Sequence, residues 1–152
     1  MSEASADLDR VRAVVDAHRA LRGALLPILH EIQAEFGHVD AAAVPVVAEG
    51  LNLSQAEVAA VLAFYRDFRT TAPGRHRIRI CRAEACLARG ADALLDHVRA
   101  RLSLDLDQTG ADGRFTLEPV WCLGNCALGP SVEIDGRLHG RVDAARFDEV
   151  MP

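Results

Sequence analysis

The chain has 152 residues, half of them hydrophobic and 26% charged, which suits one ordinary soluble domain or a helical segment joined to a smaller α/β domain. Its 17 basic and 22 acidic residues leave a formal net charge of −5, which argues against a nucleic-acid partner, because phosphate binding needs a concentrated basic surface. The arginine-rich stretch Arg75-His76-Arg77-Ile78-Arg79 reads as a solvated face at the start of a strand. No direct membrane insertion is expected. The most apolar stretch, Ala41 to Ala48, is broken by Pro45 and falls far short of the roughly 20 apolar residues that a spanning helix needs. The opening residues MSEASADLDR are acidic and polar, unlike a signal peptide. The expected location is cytoplasmic. Thiols stay reduced there, and clustered cysteines suggest metal more than disulfides.

The first half reads as helices. Asp7 is placed to cap a helix carrying Leu8, Val11, Val14, Val15, His18, Leu21 and Leu25 at intervals of three or four. Pro27 suits the first turn of a second helix, Pro27 to Phe36, which Gly37 ends. Asp40 can cap a third, with Pro45 tolerated only in its first turn or two, and Gly50 reads as its stop. Ser54 with Glu57 three residues later is a capping box, opening a fourth helix to Ala63 or Tyr65. The many alanines in these segments suit close packing in a bundle.

Thr70-Thr71-Ala72-Pro73-Gly74 reads as a linker. It divides an expected helical bundle, residues 1–72, from a second domain, residues 75–152. In the second domain Arg77 to Cys81 alternates polar and apolar, a strand signature. A helix is expected from about Ala88 to Leu102, with Leu94, Leu95, Val98 and Leu102 on one face. A turn at Gly110 to Gly113 precedes a strand from Arg114 to about Glu118. Ser131 to Ile134 and Arg137 to Val142 read as strands joined by an Asp135-Gly136 hairpin turn, and Asp143 can cap a last helix to Val150. The fold class expected is α+β, with a small mixed sheet and flanking helices in the second half.

The four cysteines form two pairs, Cys81-x4-Cys86 and Cys122-x3-Cys126. The first pair begins where a strand ends, and the second lies in a loop after another strand. Two adjacent strand ends can bring both loops to one edge of a sheet. Four thiolates are the ligand set of a [2Fe–2S] or a [4Fe–4S] cluster. Gly124 and Gly129 would let backbone approach such a cluster and aim N–H groups at sulfur, and the helix after Cys86 could turn its positive end toward it. Structural zinc favours tighter C-x2-C knuckles and ranks second. The C-x-x-C of a thioredoxin-type redox pair is absent.

With these residues in view, the chain resembles the thioredoxin-like [2Fe–2S] family. That family includes the small peripheral subunit of respiratory NADH dehydrogenase and its relatives in NAD-reducing hydrogenases and NAD-dependent formate dehydrogenases. The resemblance rests on Leu26-Pro27-Ile28-Leu29-His30-Glu31-Ile32-Gln33, Phe36-Gly37, Leu53-Ser54 and Phe64-Tyr65 in the first half. In the second it rests on the two cysteine pairs and on Cys122-Leu123-Gly124-Asn125-Cys126 followed by Gly129-Pro130. It implies a helical bundle followed by a thioredoxin-like domain, and one [2Fe–2S] cluster on Cys81, Cys86, Cys122 and Cys126. It also implies a flavoprotein partner carrying FMN and an NAD site. The loop Cys81-Arg82-Ala83-Glu84-Ala85-Cys86 looks most like the gamma subunit of molybdenum-dependent, NAD-linked formate dehydrogenases. By that resemblance the chain is a non-catalytic electron-transfer subunit of such an enzyme, reaching a molybdenum-containing catalytic subunit through the flavoprotein. The equivalent subunit of an NAD-reducing hydrogenase or of respiratory NADH:quinone oxidoreductase is the alternative, and a structural zinc module for assembly is the alternative of another class. Ala63, where the family often has Thr or Ser, departs from the pattern.

Other residues carry blander expectations. His18, His30, His38, His76, His97 and His139 lie too far from the cysteines for a Rieske-type site, and none is taken as a ligand. Phe64, Tyr65 and Phe68 are expected to pack the helices onto the second half. Trp121 is expected to shield the cluster from water, and Arg82 and Arg89 could offset its charge. No P-loop, Gly-rich nucleotide fingerprint or Ser/His/Asp set is present, so no complete active site is expected on this chain.

Overall fold

A computed structural model describes the backbone from Glu3 and the side chains from Leu8, through Pro152. The chain forms two compact units, one ending at Ala72 and the other spanning Pro73–Pro152. Four helices make the first: α1 (Glu3–His18), α2 (Leu25–Phe36), α3 (Ala43–Leu51) and α4 (Gln55–Phe64). Helix α1 begins before Asp7, the expected cap, whose side chain lies outside the described residues. It also ends sooner than its apolar spacing predicts. Leu21 is exposed, and Leu25 opens α2 instead. Pro27 and Pro45 each occupy the third residue of a helix, where a missing N–H breaks no bond within the helix. Asp40 accepts the Ala42 N–H at 2.7 Å and so shapes the turn before α3.

Gly50 does not stop α3. The helix runs through it to Leu51, and Asn52 ends it in the left-handed conformation. Glycine is needed at 50 for another reason: a Cβ there would lie 2.3 Å from Val15 Cγ1 on α1. The capping box forms as expected, with Ser54 Oγ accepting the Glu57 N–H and the Glu57 carboxylate accepting the Ser54 N–H. Apolar stripes of the helices meet in a core that includes Val11, Val15, Ile28, Leu29, Val47 and Val58. Phe68 belongs to this core, with the His30 ring 4.8 Å away. Phe64, by contrast, is 79% exposed and lies outside this core. Gln33 holds residues 67–69 against α2, donating to the Asp67 carbonyl and accepting the Arg69 N–H, each at 2.7 Å.

In the second unit the order is β1 (His76–Cys81), α5 (Glu84–Leu87), α6 (Ala91–Leu102), β2 (Gln108–Thr109), β3 (Phe115–Val120), β4 (Val132–Ile134), β5 (Arg137–His139) and α7 (Ala144–Val150). The mixed sheet has the order β2-β3-β1-β4-β5. Strands β1 and β3 run parallel, which demands a long crossover, here supplied by α5 and α6. The other pairings are antiparallel. Asp135 and Gly136 both take positive φ between β4 and β5, the backbone of a tight hairpin turn. Asp143 caps α7 by accepting the Arg146 N–H at 2.8 Å.

Period-2 alternation sends Ile78 and Ile80 of β1 to the face that α6 and α7 cover, where they pack with Leu94, Val98, Leu117 and Phe147. Arg77 and Arg79 do not form a solvated basic patch. Arg77 pairs with Glu118 at 2.8 Å, and Arg79 pairs with Glu133, its neighbour across β4, at 3.1 Å. These partly buried pairs neutralise Arg77 and Arg79, while Arg75 is exposed. Among the described residues no single helix is long and apolar enough to cross a membrane. Helices α3 and α4 would qualify together, but they are bent by 116°.

Candidate metal centre

Strand register places the site. Cys81, the last residue of β1, lies beside Val120, the last residue of β3. Parallel strands end at the same edge, so the loops that follow them leave together. The first loop makes one helical turn, α5, and Cys86 sits inside it. The helix expected from Ala88 starts later, at Ala91, because Gly90 takes a φ of 94° and breaks the run. The second loop carries Cys122, then a 3-10 turn, Cys126–Leu128.

All four cysteines are free thiols. Cys81 and Cys86 are buried, each 2% exposed, while Cys122 and Cys126 are exposed. The Cys122 and Cys126 sulfurs stand 4.0 Å apart. Burial pushes the Cys86 thiol up from its ordinary range, and the Cys81 thiol adds to the rise. Hydrogen bonds from the Ser131 backbone and hydroxyl pull the other way. Cys126 is also pushed up, first by its hydrogen bond with Cys122, then by the Cys122 charge, with burial and the Cys81 charge adding less. The interactions therefore run from Cys86 to Cys81, on to Cys126, and then to Cys122. The thiols sit as two pairs: among the described residues no three His, Cys, Asp or Glu side chains are grouped tightly enough for a single ion.

Backbone geometry serves the sulfurs. Cys122 has a φ of 147°, a strained conformation for a residue with a Cβ. Gly124, at φ 72°, donates its N–H to the Cys122 sulfur at 3.3 Å. A Cβ on Gly129 would lie 3.2 Å from the Cys86 sulfur, so glycine lets the chain pass close beside it. Only Gly124 aims its N–H at a sulfur; the Gly129 N–H goes to the Cys126 carbonyl instead. The donor set fits an iron–sulfur cluster: burial and thiol–thiol hydrogen bonds hold these sulfurs protonated in the metal-free chain, and bound iron would take them as thiolates.

Several neighbours depart from expectation. Trp121 is 64% exposed, so it does not pack as an ordinary core residue. Arg82 is engaged with Asp92 at 2.7 Å and is held away from a purely solvated state. None of the six histidines joins the thiols: His76 pairs with Asp135 at 2.7 Å and His97 with Asp148 at 3.2 Å. His139 has its pKa lowered by burial and then by Arg137 and Arg146. Two residues that sequence reasoning passed over touch the site, Asn125 between the exposed cysteines and buried Ser131 after Gly129-Pro130. The one signal for Asn125 was its place inside the Cys122–Cys126 motif.

Comparison with known proteins identifies the family. A family model described as thioredoxin-like [2Fe-2S] ferredoxin matches residues 11–152. Over 143 residues the chain is 32% identical to a subunit of the NADH-quinone oxidoreductase of Rhizobium meliloti, covering 94% of this chain and 85% of that protein. Over 129 residues it is 30% identical to the NADP-reducing hydrogenase subunit HndA of Solidesulfovibrio fructosivorans, covering 85% of this chain and 75% of that protein. Among solved structures, the air-oxidised NAD+-reducing [NiFe]-hydrogenase contains a chain that superposes with a TM-score of 0.72 at 31% identity. The match covers 84% of the present chain but 22% of the hydrogenase chain, so this protein spans about a fifth of that longer polypeptide. The α+β fold is thus thioredoxin-like in its second unit, and the chain belongs to the thioredoxin-like [2Fe–2S] ferredoxin family, with a [2Fe–2S] cluster as its cofactor.

Proposed function

We propose that the chain is an electron-transfer subunit of an NAD-linked oxidoreductase, with its [2Fe–2S] cluster held by Cys81, Cys86, Cys122 and Cys126. The observation that carries this reading is the meeting of two thiol pairs at one edge of a parallel strand pair. A two-iron cluster takes two thiolates on each iron, and two pairs supply them. When bound, the cluster accepts and returns one electron at a time. The chain's own residues hold and insulate it: Cys81 and Cys86 anchor its buried side, Gly124 donates to a ligand sulfur, and Gly129 leaves room for Cys86. The electron partner is a flavoprotein subunit carrying FMN and an NAD site, working with this chain on the cytoplasmic side.

The relatives named above support a parent complex of the NADH-quinone oxidoreductase or hydrogenase kind. A specific observation favours a second reading. The first cysteine loop, Cys81-Arg82-Ala83-Glu84-Ala85-Cys86, resembles that of formate dehydrogenase gamma subunits, whose flavoprotein is linked to a molybdenum catalytic subunit. Purification of the chain with its bound partners, followed by NAD reduction assays with formate and with hydrogen and by NADH oxidation with a quinone, decides between them. Anaerobically prepared chain should show the EPR signal of a reduced [2Fe–2S] cluster, and Cys122→Ser should lose or alter it. A colourless chain holding stoichiometric zinc would instead establish the structural-zinc alternative. An unaltered EPR spectrum in Cys122→Ser would remove Cys122 from the ligand set.

A further inference from the structure

The two thiol pairs differ in what can reach them. Cys81 and Cys86 are each 2% exposed, whereas Cys122 and Cys126 both face solvent. The Cys122 and Cys126 sulfurs stand 4.0 Å apart as free thiols. Their x3 spacing is not that of a thioredoxin-type pair, yet the folded loop brings the sulfurs into contact. A disulfide needs about 2 Å between sulfurs, so turning two exposed side chains covers most of the remaining distance. The loop has room for the rest: Gly124 is exposed, and a Cβ there would meet nothing within 4 Å. The Gly124 N–H donates to the Cys122 sulfur at 3.3 Å, a bond that strengthens as the sulfur becomes negative.

We propose that Cys122 and Cys126 are a reversible modification site of the metal-free chain: a small disulfide of the glutathione class oxidises them to a disulfide, and that bond blocks cluster loading until a thiol reduces it. The block rests on the reading above, in which both residues are ligands; the oxidation itself rests only on the distance and the exposure. Thiol–disulfide exchange needs a sulfur that the incoming disulfide can approach, which sets the exposed pair apart from the buried one. Cys122 gives its proton to solvent, and its sulfur attacks one sulfur of glutathione disulfide. The S–S bond of that molecule breaks, one glutathione leaves and takes up a proton, and a mixed disulfide remains on Cys122. Cys126 then gives up its proton, attacks the Cys122 sulfur and expels the second glutathione. Two electrons and two protons pass from the pair to glutathione disulfide, and no other reactant is needed. A bound cluster occupies both sulfurs, so the site exists only before loading or after loss of iron. The oxidised chain keeps Cys81 and Cys86 but has lost half of a four-thiolate ligand set.

The test uses the full chain, stripped of metal, fully reduced and incubated with glutathione disulfide without oxygen. Free thiols are then alkylated, and mass spectrometry of a tryptic digest reads the pairing. Cleavage after arginine leaves Cys122 and Cys126 together in residues 115–137, with Cys81 in 80–82 and Cys86 in 83–89. Peptide 115–137 should be two hydrogens lighter and carry no alkyl group, while the other two stay alkylated. Cys126→Ser should accumulate a glutathione adduct on Cys122 that wild type does not retain. Offered a preassembled [2Fe–2S] cluster on a donor protein in thiol-free buffer, the oxidised chain should lose cluster uptake, and prior treatment with dithiothreitol should restore it. A fully alkylated peptide 115–137, a disulfide joining two peptides, or no adduct in Cys126→Ser overturns the proposal, as does full loading of the oxidised chain. A reduced wild-type chain that takes up no [2Fe–2S] cluster is a different failure: it removes the ligand reading, and the block with it, whether or not the disulfide forms.

Discussion

Gly129→Ala separates a ligand role for Cys86 from ordinary packing. Gly129 has φ −66° and ψ 158°, an extended conformation that alanine adopts freely, so any cost is steric. The new Cβ would lie 3.2 Å from the Cys86 sulfur and 3.3 Å from Arg89 Cδ. Non-bonded carbons prefer about 3.5–4.0 Å, so the methyl intrudes by several tenths of an ångström. Arg89 has a flexible stem and can move. In the metal-free chain the Cys86 thiol can turn as well, and the cost stays below about 1 kcal/mol, a shift of about 2–4 °C in Tm. A ligated sulfur cannot turn. The overlap then falls in the overpacking range of about 1–3 kcal/mol, equivalent to about 5-fold to 150-fold in cluster retention. The assay pairs thermal unfolding of the metal-free chain with loss of visible absorbance when the loaded chain meets an iron chelator. Gly113→Ala, in the turn before β3 and away from the cysteine loops, is the control. Its Cβ meets nothing within 4 Å, but its φ of 62° costs about 1–2 kcal/mol for any residue with a Cβ, so it weakens metal-free and loaded chain alike. A Gly129→Ala chain that loses thermal stability yet keeps its cluster as long as wild type would refute the reasoning, because the Cys86 sulfur would not be pinned.

Gly50→Ala sets helix propensity against packing. Alanine gains about 1 kcal/mol within a helix, but its Cβ would stand 2.3 Å from Val15 Cγ1, a stiff side chain, at an overpacking cost of about 1–3 kcal/mol. Denaturant unfolding should show a net loss in Gly50→Ala that Val15→Ala partly relieves in the double variant; a net gain in the single variant would show that α1 and α3 can separate freely. Ser54→Ala should cost about 1 kcal/mol by removing the cap of α4, read from the unfolding midpoint. The pKa of Glu57 is lowered by the Ser54 backbone hydrogen bond and then by the Ser54 hydroxyl. Its contribution is therefore complete above the ordinary carboxylate range and is lost as pH falls through the lowered folded pKa. Glu57→Gln should flatten that part of the pH–stability curve, and an unchanged curve would show that the carboxylate is not what titrates.

Local rules located most of the fold. The capping box at Ser54, the alternation of β1, the Asp135-Gly136 turn and the cap at Asp143 all depend on neighbours in sequence, and all form. What the sequence hides depends on distant contacts or on very short elements. Gly50 carries the usual signal of a helix end, yet it answers to Val15, which is 35 positions earlier in the numbering and adjacent in space. Strand β2 has two exposed residues, too few to show a period. Strand β3 runs one residue past Pro119, which a strand reading tends to reject. The two-residue partner β2 pairs only with Thr116 and Leu117, so no ladder bond on that side asks for an N–H at 119.

The site was legible to the extent that chemistry follows residue type. Four cysteines in two pairs, each pair after a strand, announce a thiolate site, and strand register then brings the pairs to one edge. Side-chain direction was not legible. Trp121 precedes a cysteine whose φ is 147°, and its residue type alone suggests a packed ring, whereas the strained turn leaves it 64% exposed. Arg82 looked like a free charge until Asp92, ten residues on, claimed it. Ser131 and Asn125 gave almost no signal, because neither residue type marks a cysteine site by itself and their hydrogen bond depends on how the loop folds back. The same backbone turns leave Cys81 and Cys86 buried and Cys122 and Cys126 open. A cluster bridging those pairs would be held in a low-dielectric wall on one side and stand near solvent on the other. Such a placement lets a redox partner approach closely while the buried thiolates keep the cluster in the chain.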